Sequence, residues 1–539
     1  MASIPGLDRF QANPKWELSV QTSNIPHSAS NISHPAHRKE SLIMRPVSLL
    51  CLVALLSTSI RASVSVAMDT IHVGTYRQLL IDDFVIAEME GLKRTIQQPK
   101  KHKDNPILVG EHPWERGVWG PAVPSALYDQ GKIRLWYRAV YFTRPFSFVD
   151  ASEDPEVRGG QIADLLDSMV CQMAYAESRD GVHFEKPKLG IIDYQGSKEN
   201  NLVWGRYGDW TNMVMKMPDE PDPNRRYRCI IWAKEEYGGY YGNIGIYSPD
   251  GLHWKLGPKP THGALDHAYN YWYDPFRKEW LSLIQFETAP RSVGRMVSKD
   301  FVNWSDRSRV LAPDDKDPPG TEFYIPTIMM IDDLYLCFLH IFHTNSAVSI
   351  DKSPRQHGTR DVQLATSRDG IHWERAADRQ VFLPNGPEGA FDQSMVMFVG
   401  PPVEFEDQLL IYYSATKGSH GSTNRTRAIG LGTLRPDGFV AVEPTGRMGE
   451  MTTKPFRVSA NTLLVNADAH GGSVTVEVLD ADGVARQGFG RADAEPLASD
   501  SLAHKVAWKS HPDLSSLTGE VVRLKFRIKE AKMFSFRFQ

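Results

Sequence analysis

The sequence predicts an all-β protein, with a five-bladed β-propeller followed by a C-terminal β-sandwich. Three observations lead to this prediction. Apolar residues alternate over short runs, which is the period-two pattern of half-buried strands. The strand-like runs fall into successive groups of four, and most groups carry an Asp-Gly turn. After Gly446 the strand-like runs continue, but the turn motif no longer recurs.

The turn motif is clearest in the run LATSRDGIHWE, residues 364–374. Glycine tolerates the positive φ that a tight two-residue hairpin requires, so this run predicts a hairpin with Asp369 and Gly370 at its turn. Recurrence at a spacing of about 40 to 70 residues is typical of a repeat architecture. A generic sandwich with coincidental turns is the alternative. The copies are SRDGVHF at 178–184, SPDGLHW at 248–254, SKDFVNW at 298–304, SRDGIHW at 367–373 and a degenerate RPDGF at 435–439.

Five units of four strands in series favour radial packing, in which neighbouring sheets cover each other's faces around a channel. Such a ring has to be closed. The run QLLIDDFVI at 78–86 is predicted to pair as an extra outer strand on the last unit. The polar, Pro-containing run QQPKKHKDNPIL at 97–108 is predicted to be a loop.

The chain is predicted to have four parts. Residues 1–43 are rich in Ser, Asn, Pro and His, and are predicted to be disordered or to reflect a start assigned too early. Residues 44–67 resemble a secretory signal peptide, with an apolar run too short to span a bilayer comfortably. The alternative is a soluble protein with an unusual apolar helix. Residues 71–446 are assigned to the propeller and 452–539 to the sandwich, which is expected to brace it. The mature protein is therefore predicted to be secreted or periplasmic and not bound to a membrane.

Composition excludes other classes of function. The formal net charge is −4, whereas a general nucleic-acid binder normally shows a basic face. Cys171, Cys229 and Cys337 each lie in an apolar run and at wide spacing, which predicts small hydrophobes rather than disulfides or a zinc site. No metal and no cofactor are predicted, and a structural calcium has no support in the sequence.

An acidic residue precedes or begins the innermost strand of four consecutive units, so these acids are expected to meet at one mouth of the channel. Carboxylates that converge repel each other, so one would be held protonated and could act as a general acid. An ionised neighbour could act as nucleophile or base, which is the division of labour in glycoside hydrolysis. Acids that merely cap turns are the alternative. The four candidates for catalysis are Asp209, Asp266, Glu322 and Asp392.

Aromatic and polar side chains near these acids suit a carbohydrate ligand. Rings present apolar faces, and amide or imidazole groups bond hydroxyls; core packing is the alternative for each ring. His343 lies three residues after His340 on one strand, so the two are predicted to face opposite sides of the sheet. The candidates for substrate binding are Trp119, Trp210, Asn212, His267, Asn270, Tyr324, His343 and Gln393.

With these features the chain resembles the five-bladed propeller glycosidases of glycoside hydrolase families 32, 43 and 68. It is most similar to the family 32 type, which also carries a C-terminal β-sandwich. The resemblance implies that Asp209 is the nucleophile or base, that Asp266 orients the substrate and that Glu322 is the general acid. The Asn-Asp-Pro-Asn-Gly, Arg-Asp-Pro and Glu-Cys motifs of invertase-like enzymes are absent from the sequence. An alternative registration makes Asp82 or Asp83 the first carboxylate.

The sequence thus predicts a secreted glycoside hydrolase that cleaves oligo- or polysaccharides. Two alternatives stay open. A non-catalytic glycan-binding propeller would keep the aromatic residues and tolerate loss of the acids. A mannoside-phosphorylase-like enzyme, suggested by Asn105-Pro106-Ile107-Leu108, would place a basic phosphate site in the funnel. The sugar, the linkage, the stereochemical outcome and the oligomeric state stay open.

Overall fold

The computed structural model describes residues 70–117, 120–144, 168–205, 213–233, 242–262, 270–286, 290–344, 358–420 and 425–539. The predicted extension at 1–43 and the signal peptide at 44–67 lie outside these ranges. Residues 67–539 cluster as one compact unit. Within the described ranges, no helix is long and apolar enough to cross a membrane.

Nearly all of the secondary-structure elements in the described ranges are β-strands. Four short 3-10 helices interrupt it, at Pro113–Glu115, Pro223–Arg225, Ala377–Arg379 and Ser515–Leu517. The first strands precede the repeats and are β1 (Gln78–Leu79), β2 (Ile86–Glu90), β3 (Leu92–Ile96) and β4 (Lys100–Lys101).

The first three repeat units are separate four-stranded antiparallel sheets whose strands are adjacent in sequence. Unit one contains β5 (Ala122–Asp129), β6 (Lys132–Phe142), β7 (Met169–Ser178) and β8 (Leu202–Trp204). Unit two contains β9 (Met215–Lys216), β10 (Tyr227–Ala233), β11 (Gly242–Ser248) and β12 (Lys255–Leu256). Unit three contains β13 (Trp272–Asp274), β14 (Glu279–Phe286), β15 (Ser292–Ser298) and β16 (Ser308–Leu311).

Units four and five belong to one larger sheet, in which the parallel pairing of Arg360 with Met395 links the two. Unit four contains β17 (Thr321–Phe323), β18 (Thr327–Ile331), β19 (Leu334–Thr344), β20 (Gly358–Ser367), β21 (Glu374–Arg375) and β22 (Val381–Leu383). Unit five contains β23 (Met395–Met397), β24 (Val403–Phe405), β25 (Gln408–Lys417) and β26 (Thr426–Leu434).

The units pack against one another in a ring. Successive units share buried apolar clusters, from unit one with unit two through unit four with unit five. The ring closes because Leu410 and Ile429 of unit five lie in the same cluster as Leu135 of unit one. Radial packing of this kind hides both faces of each sheet, so the fold is a β-propeller, as the sequence predicts.

Hydrogen bonds tie the innermost strands together at every junction of the ring. Four of the five bonds use a side chain. Neighbouring innermost strands are therefore linked without pairing as strands of one β-sheet. In order, the bonds run from Val214 N to Ser125 Oγ (2.9 Å), from Tyr271 Oη to Met213 O, from Asn270 Nδ2 to Ile328 O (3.1 Å), from Thr327 Oγ1 to Phe398 O, and from Gly400 N to Pro124 O (3.3 Å).

The turn motif has the same hydrogen bonds in its four full copies. In the copy at 248–254, Ser248 Oγ accepts from Gly251 N (2.8 Å), and Asp250 Oδ1 accepts from the next two backbone N–H groups (both 2.8 Å). Burial alone would raise the pKa of Asp250, but these bonds lower it to about 2. Thr366 pairs with Glu374, so seven residues, 367–373, form the loop between the paired strands. The predicted two-residue hairpin turn is therefore wrong. Equivalent bonds occur at 178–184, 298–304 and 367–373.

The C-terminal β-sandwich consists of two sheets around one apolar cluster that includes Val465, Phe526 and Phe536. One sheet has the order β3-β27-β34-β30-β32, with β1 on β34; the other has the order β2-β28-β33-β29, with β31 on β33. Residues 78–96, on the propeller side of the predicted boundary, thus contribute strands to it. The strands not yet given are β27 (Val440–Pro444), β28 (Met448–Thr453), β29 (Phe456–Arg457), β30 (Leu463–Asp468), β31 (Ser473–Leu479), β32 (Asp500–Lys505), β33 (Val521–Lys529) and β34 (Lys532–Phe538).

The predicted closing strand of the ring is wrong. Residues of QLLIDDFVI pair with the sandwich instead, since β1 pairs with β34 and β2 with β28. The strand that adds to unit five is β4, which lies in the run predicted to be a loop and pairs with β26. A strand of two lysines has no apolar alternation to reveal it, and short charged strands are usual at sheet edges.

Candidate active site

The structure describes half of the predicted site. Glu322 and Asp392 are described among the candidate acids, and Asn270, Tyr324, His343 and Gln393 among the candidate ligands. The others lie outside the described ranges and stay predictions. They are Asp209, Asp266, Trp119, Trp210, Asn212 and His267.

Glu322 lies on β17, where the innermost strand of unit four begins. Its side chain is 7% exposed, and Arg291 Nη1 donates to its Oε2 at 2.9 Å. Arg291 comes from the loop that precedes β15 of unit three, and its carbonyl accepts from Phe323 N at 3.0 Å, which fixes the loop against β17. A guanidinium next to a carboxylate favours the ionised form. An ionised Glu322 could act as a base or a nucleophile, and the general-acid role that the resemblance implies stays a prediction.

The surroundings of Glu322 are aromatic and basic. The guanidinium carbon of Arg360 lies 4.4 Å from the ring centre of Tyr324, and that of Arg291 lies 5.6 Å from it, both within cation–π range. The ring of His420 lies 5.5 Å from the Tyr324 ring, and Arg425 Nη1 donates to the His420 carbonyl at 2.7 Å. The site therefore combines a stacking ring with several cations.

Sequence reasoning missed these basic residues because they come from the ends of strands in three different units. Arg291 precedes β15, Arg360 lies on β20, and Arg425 precedes β26. The signal that could have found them is positional. Each arginine lies at the end of a strand, on the side of its sheet where the innermost strand begins. The sequence predicts the catalytic site on this side.

Asp392 is engaged in a buried ion pair. It is 2% exposed, and its Oδ2 accepts from Lys101 Nζ at 2.7 Å and from Tyr413 Oη at 3.1 Å. Burial, and then the charge of Asp392, raise the pKa of Tyr413. Lys101 lies on β4, so this pair fixes the closing strand of the ring. These contacts are those of a structural residue, and the predicted catalytic role of Asp392 stays a prediction.

The remaining predicted ligands also bond within the protein. Asn270 is buried and donates across the junction of units three and four. His343 Nε2 lies 2.8 Å from Asp361 Oδ2, and this hydrogen bond raises the pKa of His343. His340 is fully buried on the same strand, and burial lowers its pKa to about 3. Gln393 Oε1 accepts from Gly389 N within a local turn.

The alternative first carboxylates lie away from Glu322. Asp82 Oδ2 accepts from Arg368 Nε at 3.0 Å, and Arg368 follows the end of β20 opposite to Arg360. Asp83 is largely exposed and pairs with Arg94. The structure therefore places neither carboxylate beside β17.

Within the described part of the chain, no group of three or more His, Cys, Asp or Glu side chains is arranged to hold a metal ion. Cys171, Cys229 and Cys337 are buried, and none of them forms a disulfide there. Burial raises the pKa of the Cys337 thiol.

Comparison with known proteins gives distant structural similarity only. No family model matches the chain, and no curated protein matches it. One similar solved structure comes from work on the GH130 family of mannoside phosphorylases, which is described as containing glycoside hydrolases that target β-1,2-mannosidic linkages in Candida mannan. It is 16% identical to this chain, the alignment covers 67% of this chain and 97% of that chain, and the TM-score is 0.39. A glycosyl hydrolase from Bacteroides ovatus is 15% identical (64% and 95% covered, TM-score 0.40). A β-1,2-mannobiose phosphorylase from Listeria innocua is 13% identical (63% and 97% covered, TM-score 0.40).

Proposed function

We propose that the protein is a secreted or periplasmic glycoside hydrolase that acts on an oligo- or polysaccharide at the mouth where the innermost strands begin. The five packed units are taken as five blades and form the catalytic domain, and the sandwich braces it. The observation that carries the proposal is Glu322, a nearly buried carboxylate held by Arg291 beside the ring of Tyr324. Burying a charge this deeply is costly unless function or structure uses it.

The proposed reaction uses Glu322 in its ionised form. As a nucleophile, its oxygen attacks the anomeric carbon while the glycosidic C–O bond breaks; as a base, it removes a proton from the attacking water. A protonated carboxylic acid gives its proton to the leaving oxygen, and Asp209 and Asp266 are the candidates for this acid. The distance between the two carboxyl groups decides whether the configuration at the anomeric carbon is kept. About 5 Å is typical of retention and roughly 6.5 to 9.5 Å of inversion.

The surroundings supply binding. The ring of Tyr324 would contact a sugar beside the guanidinium of Arg360, which lies over the ring, and the ring of His420 lies next to them. No cofactor is needed for this chemistry.

One observation favours a second candidate function, which is phosphorolysis. Arg291, Arg360 and Arg425 lie around Tyr324 and His420, and guanidinium groups bind phosphate oxygens well. In that reaction a phosphate oxygen would attack the anomeric carbon and the product would be a sugar 1-phosphate. Export to a compartment without a phosphate supply would argue against it.

The test is release of reducing sugar from a panel of aryl glycosides and polysaccharides, with and without inorganic phosphate. The protein is compared with Glu322→Gln and with Glu374→Gln, which removes an exposed carboxylate on β21. Phosphate-independent turnover that falls by about a thousandfold or more in Glu322→Gln, and not in Glu374→Gln, supports the hydrolase.

Other outcomes decide against it. Turnover that requires phosphate and yields a sugar 1-phosphate identifies a phosphorylase. Equal turnover in all three proteins removes Glu322 from the chemistry. Glycan binding without turnover of any substrate identifies a binding propeller.

A further inference from the structure

A cavity lies on the side of the propeller opposite to Glu322, where the innermost strands end. Its volume is about 570 Å³, within the range of roughly 300 to 1,000 Å³ that small-molecule sites occupy. All five units contribute residues to its wall, and none of the residues described around Glu322 lines it. One residue from each unit, in order, is Leu127, Met215, Tyr273, Met330 and Pro401.

The wall is mostly aromatic and thioether. Met213, Met215 and Met217 alternate along the β9 segment, so their side chains point to the same side. Methionine side chains adapt to irregular shapes and contact aromatic groups favourably. Phe276 lines the rim and is 50% exposed, with its ring centre 5.7 Å from that of Tyr76. Exposed apolar surface in a concave site is a marker of ligand binding.

The charged residues of the wall are already neutralised by the protein. Arg77 Nε lies 3.1 Å from Asp332 Oδ2, and Lys216 Nζ lies 2.6 Å from Asp129 Oδ1. A charged ligand would have to compete with these pairs and would lose its own hydration in an apolar cavity. An uncharged ligand would meet neither cost.

We propose that this cavity binds a small, uncharged ring compound, aromatic or alicyclic, which lies between the methionines of unit two and the rings of Tyr76, Trp272 and Phe276. Tyr76 belongs to the segment before β1, and the ion pair of Arg77 with Asp332 holds that segment against unit four. The ligand site is therefore complete only when this segment is docked.

The test uses two fluorescent probes with one ring system. N-phenyl-1-naphthylamine is uncharged, and 8-anilino-1-naphthalenesulfonate carries an added sulfonate. We expect saturable binding of one molecule of the uncharged probe per chain, with a Kd at least tenfold below that of the sulfonate. Phe276→Ser should weaken the uncharged probe at least tenfold, and so should Met217→Glu, which places an unpaired charge in the wall.

A matched control comes from another exposed pair of rings. Tyr128 is 52% exposed, and its ring lies edge-to-face with Phe405 at 5.4 Å, but neither residue lines the cavity. Tyr128→Ser should leave the affinity for the uncharged probe within twofold. Absence of saturable binding, an equal loss in Tyr128→Ser and Phe276→Ser, or tighter binding of the sulfonate would each overturn the proposal.

Discussion

Replacing Asp392 with Asn decides between the two roles that this residue could have. The buried carboxylate accepts from Lys101 Nζ at 2.7 Å and from Tyr413 Oη at 3.1 Å. If it is structural, Asp392→Asn should lower the free energy of unfolding and leave the turnover of the folded protein nearly unchanged.

The magnitude follows from the surroundings of the pair. Removing one partner of a fully buried pair costs about 3 to 5 kcal/mol. Lys101 is 26% exposed and keeps its bond to the Pro384 carbonyl at 2.7 Å, so it can partly rehydrate. The asparagine can still accept a hydrogen bond from Tyr413. We therefore expect a loss of about 2 to 3 kcal/mol.

The assay is urea unfolding followed by tryptophan fluorescence, with turnover measured in parallel on the same preparations. The double variant Lys101→Met with Asp392→Asn should lose at least about 1 kcal/mol less than the sum of the single variants, because the two side chains are in contact. An unchanged free energy of unfolding together with loss of turnover would refute the structural reading and establish the catalytic role that the sequence predicts.

Three further predictions concern stability. Tyr271→Phe and Thr327→Val each remove a buried hydroxyl that donates from one unit to the next, to Met213 O and to Phe398 O, so each should cost about 1 to 2 kcal/mol in urea unfolding; a cost below about 0.3 kcal/mol would contradict this role. Because Asp361 raises the pKa of His343, the stabilisation by protonated His343 is fully present below the unfolded-state pKa and is lost as the pH rises through the folded-state pKa. The loss of stability in His343→Gln should thus be larger at about pH 5.5 than at about pH 8.5, and a pH-independent loss would be inconsistent with the pair. Gly181→Ala should destabilise more than Gly389→Ala, since both have positive φ but only at Gly181 would a Cβ meet a neighbour, Leu410 Cδ1, at 2.6 Å; equal losses in thermal unfolding would show that backbone strain alone matters.

Much of the fold could be read from the sequence because it is repeated. The turn motif marks four of the five units with a serine and an aspartate, and in these four copies the two side chains close the loop in the same way. What could not be read is long-range pairing. Val440–Pro444 alternates like a fourth strand of unit five, yet it pairs with β3 and β34, because a period-two pattern shows that a strand has a buried face and does not show which partner it has.

The site was harder to predict than the fold. Position in a unit selected Glu322 as a candidate, because the start of an innermost strand is a feature of the local sequence; its catalytic role stays a prediction. It could not distinguish Glu322 from Asp392, which occupies a similar place in the pattern. The difference lies in their partners, Arg291 for one and Lys101 for the other, and those partners come from segments that no local pattern relates to them.

The pairing of β4 with β26 has a consequence for how the chain is made. During synthesis, Lys101 precedes its partner Gly432 by about 330 residues, which at roughly 5 to 20 residues per second is a delay of about 15 to 65 seconds. Throughout that time Leu79, Leu80 and Ile81 have no sheet to join, because Gln78 and Leu79 pair with Phe536 and Ser535 near the end of the sequence. Such non-local pairings slow folding. The units can form one after another as they emerge, but β4 has to wait for β26 and β1 has to wait for β34, each of which is synthesised hundreds of residues later.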